Sequence, residues 1–446
     1  MRKFVLITLI ASMVIATSGV LYADEFGDLK KEMQNLRRDY GAKIESLQAQ
    51  IDALSETNRV KVANLEEKIK KSSGANLLDV EYVGRYEGPF KKGGLLIKNP
   101  SGFGNVSVGG YMDHEFEYLR GVKGNFDQHR WIINIGAELG DRLRFFSEYE
   151  IEHGGPNASG GGEAKVEQAW IDYLITEWAN LRAGALLMPF GRYNLYHDSD
   201  LQDLTDRPLL TRDVIPTTWT EAGAGMYGEF NPIIGDYEDL TVGYEVYAVN
   251  GLDDGFSDAG LRGARGSLGS DNNSNKAVVG RVVMSPAMGH EIGVSGYSGQ
   301  FSRSDDYING VGVDVLSTWG PLELVGEWAY FAADDPDYIQ VPDYFTGFYA
   351  QANYHFWPEF LNDSILGKSF EDPTFTLVGR VGGIWIGDDF DVNTGANREI
   401  RYTVGFNYRP VESWVAKFEY QLNRSSNERL ERGDDHGLVA SVAMGF

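Results

Sequence analysis

The chain contains no cysteine among its 446 residues. Without thiols it can form neither disulfide bridges nor thiolate metal sites, and it cannot carry a lipoprotein anchor. Long apolar runs are missing after residue 23, and no later segment reaches the about 20 apolar residues of a membrane-spanning helix. These absences exclude disulfide-stabilised secreted domains and bundles of membrane-spanning helices.

Motifs that carry catalysis are also missing. The seven histidines show no His-x-x-x-His or Glu-x-x-His spacing on a predicted helix, and no serine lies in a nucleophile elbow. Residues 389–395 resemble a calcium-binding loop, but the glycine comes one position late and the glutamate of the twelfth position is missing. We therefore predict no enzyme activity, no catalytic residue, no metal site and no cofactor.

The N-terminus has the pattern of a secretory signal. Arg2 and Lys3 precede the apolar stretch 4–16, and the small residue Ala23 ends a segment suited to cleavage. We predict a signal peptide over residues 1–23, with an uncleaved membrane anchor as the alternative. The formal net charge of −25 argues against nucleic acid as a partner.

Residues 24–73 show a helical repeat of apolar residues. Between Leu29 and Ile69 the seam positions recur at a mean spacing of about 3.6 residues, and no proline interrupts them. One seam position is Asn58, a residue type that fixes the register of coiled coils. We predict a coiled-coil stalk over residues 24–73; a lone amphipathic helix lying on another surface is the alternative.

From residue 105 onwards the apolar periodicity becomes alternating, and sixteen such segments follow one another up to Phe446. Short turns between the segments alternate with longer polar loops, as in outer-membrane barrels. We predict an all-β fold, a 16-stranded antiparallel transmembrane β-barrel over residues 105–446, preceded by the α-helical coiled coil. Residues 74–104 are interpreted as a linker. Residues 357–374 are long for a periplasmic turn and leave the strand count open by two.

The longest interruption in the first half of the barrel, residues 190–222, is predicted to fold into the lumen and narrow it. An outer loop packed on a neighbouring subunit is the alternative. We expect its charged side chains to line a pore constriction: Arg192, Asp198, Asp200, Asp203, Asp206, Arg207, Arg212 and Asp213. Strand parity predicts a second set on the lumen wall: Arg130, Glu148, Glu150, Arg182, Arg380, Arg401 and Lys417. Acids outnumber bases in this loop, so charge counting favours weak cation preference or little selectivity.

Several short runs carry a family resemblance. They are QHR at 128–130, NIGAE at 134–138, RFFSE at 144–148, RAG at 182–184 and PFGR at 189–192. Together with the order of signal, coiled coil and barrel, these runs resemble the phosphate-selective porin O and P family. The resemblance implies a trimer whose lumen-folded loop and basic ladder attract anions. Residues 190–222 depart from that pattern because they contain no lysine.

These patterns predict an outer-membrane porin that lets small hydrophilic solutes or ions diffuse passively through a water-filled lumen. A phosphate- or anion-selective porin is one alternative. A structural tether to the cell wall, or a barrel sheath around a partner protein, is another. The predicted partners are outer-membrane lipid, small solutes or ions, further copies in a homotrimer and, through a stalk in the periplasm, the cell wall.

Overall fold

The computed structural model describes residues 61, 79–85, 87–99, 104–121, 123–156, 161–234, 239–256, 260–266, 268–335, 341–387, 397–425 and 435–446. The predicted signal peptide, the calcium-loop-like segment 389–395 and the predicted stalk, apart from Lys61, lie outside these residues. Across the described ranges, no helix combines the length and the apolar character needed to cross a membrane.

Within the described residues, eighteen β-strands make up one sheet. Their bounds in chain order are β1 Asp79–Val83, β2 Gly94–Lys98, β3 Asn105–Leu119, β4 Asn125–Leu139, β5 Leu143–Glu152, β6 Glu163–Thr176, β7 Ala179–Leu187, β8 Thr220–Phe230, β9 Thr241–Val249, β10 Ala277–Ala287, β11 His290–Gln300, β12 Tyr307–Trp319, β13 Leu322–Ala333, β14 Tyr344–Phe356, β15 Thr374–Ile386, β16 Asn397–Val411, β17 Trp414–Ser425 and β18 His436–Gly445.

Strands β3 to β18 form a closed barrel of sixteen antiparallel strands. Each strand pairs with the next one along the chain, and the last strand, β18, pairs with the first, β3, from Gly437 opposite Leu119 to Gly445 opposite Tyr111. Closure leaves no strand edge unpaired, which is the condition for a sheet to lie in lipid. The predicted 16-stranded barrel is therefore confirmed, and residues 357–373 are a single long connection.

The barrel wall is apolar outside and polar inside. In β17, Lys417 and Glu419 are 1% and 2% exposed, whereas Phe418 and Tyr420 between and beside them are 60% and 42% exposed. A water-soluble protein shows the reverse arrangement, because charged residues are almost never fully buried unless they are paired. An outer face of aromatic and aliphatic side chains suits contact with lipid.

The two ends of the barrel differ in their connections. The end at which β3 begins and β18 ends has mostly short turns, such as 140–142, 177–178 and 320–321; we call it the turn end. One longer connection there, 357–373, contains the 3-10 turn Glu359–Leu361. The opposite end, called the loop end, carries the longer connections, including residues 250–276 with the 3-10 turn Arg262–Ala264.

Strands β1 and β2 form a hairpin at the turn end, within the range interpreted as a linker. β2 pairs with the first residues of β3, from Leu95 opposite Val108 to Lys98 opposite Asn105. Gly94 has a φ of 94°, and a Cβ atom there would lie 2.4 Å from the carbonyl oxygen of Val108. Only glycine permits this close approach. The connection between the two strands, residues 84–93, is called the hairpin turn.

Candidate functional site

The segment between β7 and β8, residues 188–219, crosses the lumen; we call it the inward loop. The amide of Thr205 donates to Glu419 Oε2 at 2.8 Å, and Asn407 Nδ2 donates to the carbonyl oxygen of Asp203 at 3.0 Å. These partners belong to β16 and β17, on the side of the barrel opposite β7 and β8. The inward loop contains three short elements: the helix Arg192–Leu195, the 3-10 turn Ser199–Leu201 and the π-helical turn Leu210–Val214.

Apolar side chains hold both ends of the inward loop against the barrel wall. Phe190 and Trp219 are fully buried. The Phe190 ring lies 4.8 Å from that of Phe331, and the Trp219 ring lies 5.1 Å from that of Tyr297, centroid to centroid. Burial of one large apolar side chain is worth about 1.5–3 kcal/mol. The loop is therefore fixed by packing as well as by polar contacts.

The acidic side chains of the inward loop are paired. Asp198 accepts hydrogen bonds from Arg85 Nη2 at 2.6 Å and from Lys92 Nζ at 2.8 Å, and Asp200 forms a salt bridge with Arg85. Lys92 also lies 3.3 Å from Glu148 on the wall. Because Arg85 and Lys92 belong to the hairpin turn, these contacts join that turn to the inward loop inside the lumen.

Burial and the neighbouring charges act in opposite directions on the pKa values of Asp198, Arg85 and Lys92. Burial favours neutral groups, but the adjacent Lys92 and Arg85 cations hold the pKa of Asp198 below its usual range. In return, although burial lowers the pKa values of Arg85 and Lys92, the Asp198 carboxylate raises both above their ordinary values. Asp198, Arg85 and Lys92 are therefore ionised at neutral pH.

Two further carboxylates of the loop bind to the far wall of the barrel. Asp203 forms a salt bridge with Arg409 at 3.3 Å and accepts from Asn353 Nδ2 at 2.9 Å. Asp206 forms a salt bridge with Arg401. These pairs neutralise the carboxylates that charge counting had assigned to the pore.

The remaining charged residues near the ends of the inward loop are paired too. Arg212 binds Asp213, with 2.6 Å between Nη2 and Oδ2, and lies 3.2 Å from Glu399 Oε2. Arg192 lies 3.5 Å from Glu291 and places its guanidinium group 4.6 Å from the centre of the Tyr196 ring. These side chains stabilise the loop.

Arg207 binds a backbone oxygen atom instead of a carboxylate. It donates to the carbonyl oxygen of Thr217, and Arg262 Nη1 donates to the same oxygen at 2.6 Å. Arg265 Nη1 donates to the carbonyl oxygen of Thr218 at 2.8 Å. Within the described part of the chain, no salt bridge joins Arg207, Arg262 or Arg265, together called the arginine cluster, to a carboxylate.

Like charges in the arginine cluster repel one another. Burial, together with the charges of Arg207 and Arg265, lowers the pKa of Arg262 to about 10. Burial and Arg207 likewise lower the pKa of Arg265. Arg262 and Arg265 come from the connection 250–276, which lies over the inward loop at the loop end. Positive charge therefore accumulates here without a direct salt bridge to a carboxylate among the described residues.

The residues predicted on the lumen wall all lie on the inner face. Arg130 Nε lies 3.2 Å from Glu150 Oε1, and Arg182 binds Asp172 at 2.7 Å. The remaining members contact the inward loop or the hairpin turn: Arg380 at the Asp206 carbonyl oxygen, Arg401 at the Asp206 carboxylate, Lys417 at the Ser199 carbonyl oxygen, and Glu148 at Lys92.

A narrow cavity of about 50 Å³ separates the inward loop from β3 and β4. Its lining includes Glu115, His129 and Arg207. On the turn-end side of the loop lie two larger cavities, of about 400 Å³ and about 740 Å³. The narrow cavity shares Tyr193 and Gln202 with the first of these. It is the smallest of these three cavities.

The hairpin turn also restricts the larger of those cavities. Phe90 enters the lumen and stacks on Phe146, with ring centroids 5.4 Å apart, beside Trp170 at 6.2 Å. Sequence reasoning missed Phe90, Arg85 and Lys92, because nothing in their local pattern distinguishes them from a linker. Arg262 and Arg265 were missed as well, since they lie in an ordinary polar outer loop.

Comparison with known proteins supports the sequence resemblance. Residues 298–446 match the family described as "Phosphate-selective porin O and P". A stretch of 155 residues is 38% identical to an uncharacterized protein of Aquifex aeolicus (strain VF5), covering 33% of this chain. The match spans 32% of the length of that relative.

Solved structures share the fold at low sequence identity. OmpT of Vibrio cholerae matches with a TM-score of 0.52 and 10% identity, over 79% of this chain and 100% of that one. The outer membrane channel DcaP of Acinetobacter baumannii matches with a TM-score of 0.50 and 14% identity, over 78% and 99%.

The family match covers all of β12 to β18, and the structural matches cover the whole barrel of the solved channels. The resemblance predicted from the sequence is thereby confirmed for residues 298–446, which match the phosphate-selective porin O and P family, and the barrel as a whole shares the fold of solved outer-membrane proteins.

Proposed function

We propose that the protein is a passive outer-membrane porin whose constriction, formed by the inward loop, favours small anions. The observation that carries the proposal is the pairing pattern of the charges. The carboxylates of the inward loop bind basic side chains of the wall and of the hairpin turn, whereas the arginine cluster binds only backbone carbonyl oxygens within the described residues.

Selectivity in a narrow pore depends on the fixed charges nearest to it. A water-excluding wall focuses their field, and rings of arginine favour anions while rings of carboxylates favour cations. Arg207 lines the narrow cavity. Arg262 donates to the same carbonyl oxygen of Thr217 as Arg207 does. The structure therefore supports the opposite sign from the one that counting charges along residues 190–222 favoured.

Ion reversal potentials in planar bilayers test this proposal. We expect the wild-type channel to favour chloride over potassium, and we expect the triple variant Arg207→Gln, Arg262→Gln, Arg265→Gln to lose that preference. Arg303→Gln is the matched control, because Arg303 is an exposed arginine on the outer connection 301–306. A reversal potential that is the same in the wild type and the triple variant would refute the role of the cluster.

The same recordings address phosphate. If phosphate occupies the arginine cluster, it reduces the chloride current, and Arg207→Ala relieves the reduction. Replacing Asp198, Asp203 and Asp206 with asparagine leaves their basic partners uncompensated, so we expect a further shift toward anions. An unchanged reversal potential would show that these ion pairs lie outside the conduction path.

The turn end is assigned to the periplasm and the loop end to the outside. Supporting this, both ends of the barrel sequence lie at the turn end, as expected if residues 24–73 form a periplasmic stalk. We further propose that this stalk joins three copies into a homotrimer and can contact the cell wall. A barrel sheath is disfavoured because the inward loop occupies the lumen that a partner protein would need.

A further inference from the structure

Four side chains that can bind a metal ion converge at the loop end of the barrel. His153 Nδ1 lies 2.7 Å from Asp127 Oδ2, and His129 Nδ1 lies 3.5 Å from the same oxygen. Glu115 Oε2 lies 3.5 Å from His129 Nδ1. The ligand atoms of Asp127, His129 and His153 all lie within 4.8 Å of one another.

The local structure of three strands produces this arrangement. Asp127 and His129 lie near the start of β4, at the loop end. β4 contains one extra residue in this region, so that Asp113 lies opposite Arg130 but Glu115 lies opposite Asp127. This bulge lets His129 line the narrow cavity beside its neighbour Arg130. His153, just after β5, has a positive φ of 49°, and its amide donates to the carbonyl oxygen of His129 at 3.2 Å.

We propose that Glu115, Asp127, His129 and His153 form a binding site for a divalent transition-metal ion. Zinc binds imidazole nitrogen and carboxylate oxygen at about 2.0–2.2 Å in tetrahedral geometry, which separates ligand atoms by about 3.4 Å. The two spacings of 3.5 Å at His129 Nδ1 correspond to such a tetrahedron, whereas His153 Nδ1 and Asp127 Oδ2, which are 2.7 Å apart, would have to separate to bind the ion. Two carboxylates and two neutral imidazoles balance the charge of the ion.

The donor set separates this site from an ordinary acidic cluster. Imidazole nitrogen suits zinc, copper and nickel, whereas magnesium and calcium prefer oxygen ligands alone. A second group, formed by Asp203, Glu323 and His355, is less suited because its members already bind other side chains: Asp203 binds Arg409, Glu323 binds Asn353 and His355 binds Thr376.

The proposed metal site lies beside the narrow cavity, so a bound ion would affect conduction through the lumen. Glu115 and His129 line the narrow cavity beside Arg207. Asp127 and His129 are about a quarter exposed and His153 is 40% exposed, so an ion entering from the loop end can reach all three. An ion held by these residues would lie at the wall of a cavity of only about 50 Å³, on the side that Glu115 and His129 line, and would obstruct it. This closure rests on the proposed porin function, whereas the binding itself does not.

Calorimetric titration of the detergent-solubilised protein with zinc chloride tests the binding. We expect saturable binding of zinc at a ratio of one ion per chain and no comparable binding of magnesium. The variant His129→Ala, His153→Ala should bind zinc at least about tenfold more weakly, and Asp127→Asn should reduce the affinity without removing side-chain volume. His436→Ala is the control, since its ring lies against Tyr420 away from the site. The heat-modifiable band on gels verifies folding of each variant.

Single-channel recording with zinc added at the loop end tests the closure. We expect zinc to reduce the wild-type and His436→Ala currents, EDTA to restore them, and the double histidine variant to remain open. Equal zinc affinity in the wild type and the folded double variant would refute the site. Binding that leaves the current unchanged would refute its place in the conduction path. Failure of the channel to conduct at all would instead contradict the proposed porin function.

Discussion

Arg85 Nη2 and Asp198 Oδ2 lie 2.6 Å apart inside the barrel, although 113 positions separate the two residues in the chain. Arg85 comes from the hairpin turn before the first barrel strand, and Asp198 comes from the inward loop. Both side chains are 1% exposed. The contact therefore makes the segment that precedes the barrel part of the structure that narrows it.

Arg85→Leu should release the inward loop from the hairpin turn. Breaking a buried ion pair by removing one partner costs about 3–5 kcal/mol, because the remaining charge stays buried without compensation. We expect a lower melting temperature and a larger, noisier single-channel conductance. Lys98→Ala is the control, since it removes an exposed ion pair with Glu81 on the same hairpin, worth about 0–1 kcal/mol. Identical recordings from the two variants would show that the ion pair between Arg85 and Asp198 does not restrain the inward loop.

Gly136→Ala should expel Phe90 from the lumen. A Cβ atom on Gly136 would lie 2.2 Å from Cε2 of Phe90, so the ring would have to leave its stack with Phe146. We expect the conductance to rise as the cavity of about 740 Å³ widens. Gly296→Ala serves as the control, because its Cβ atom meets nothing within 4 Å. Unchanged conductance in both variants would place Phe90 outside the conduction path.

The ion pair between Arg85 and Asp198 should resist mild acid. Lys92 and Arg85 hold the pKa of Asp198 below its usual range, so the stability that this carboxylate contributes is fully present above the unfolded value of about 3.9 and is lost as the pH falls through the folded value. We expect no change in single-channel noise between pH 7 and pH 5, with loosening only below about pH 4. Asp198→Asn should show the loose behaviour already at pH 7. Loosening near pH 6 in the wild type would assign the transition to another group.

Deleting residues 24–73 should weaken the oligomer and leave the barrel intact. A neutral helix with an apolar seam gains little stability alone and is expected to associate with further copies. Analytical ultracentrifugation and thermal gel shift would follow the oligomer, and circular dichroism would follow the barrel. An unchanged melting temperature of the trimer would show that barrel contacts suffice for assembly.

The sequence alone determined the barrel. Alternation such as that of Lys417, Phe418, Glu419 and Tyr420 is local, and it records which face of each strand meets lipid. Alternation of short and long connections then sets the order of the strands. For the same local reason, parity was sufficient to place Arg130, Arg380 and Arg401 inside the lumen.

Only the tertiary structure decided which charged side chains inside the lumen pair with one another. Whether Asp206 contributes charge to the pore depends on Arg401, and whether Arg207 binds a carboxylate or a backbone oxygen depends on the position of Thr217. Asp206 and Arg401 are far apart in the chain, and no periodicity links them. Electrostatic fields depend on distance in space, so the composition of one loop could not give the sign of the charge at the constriction.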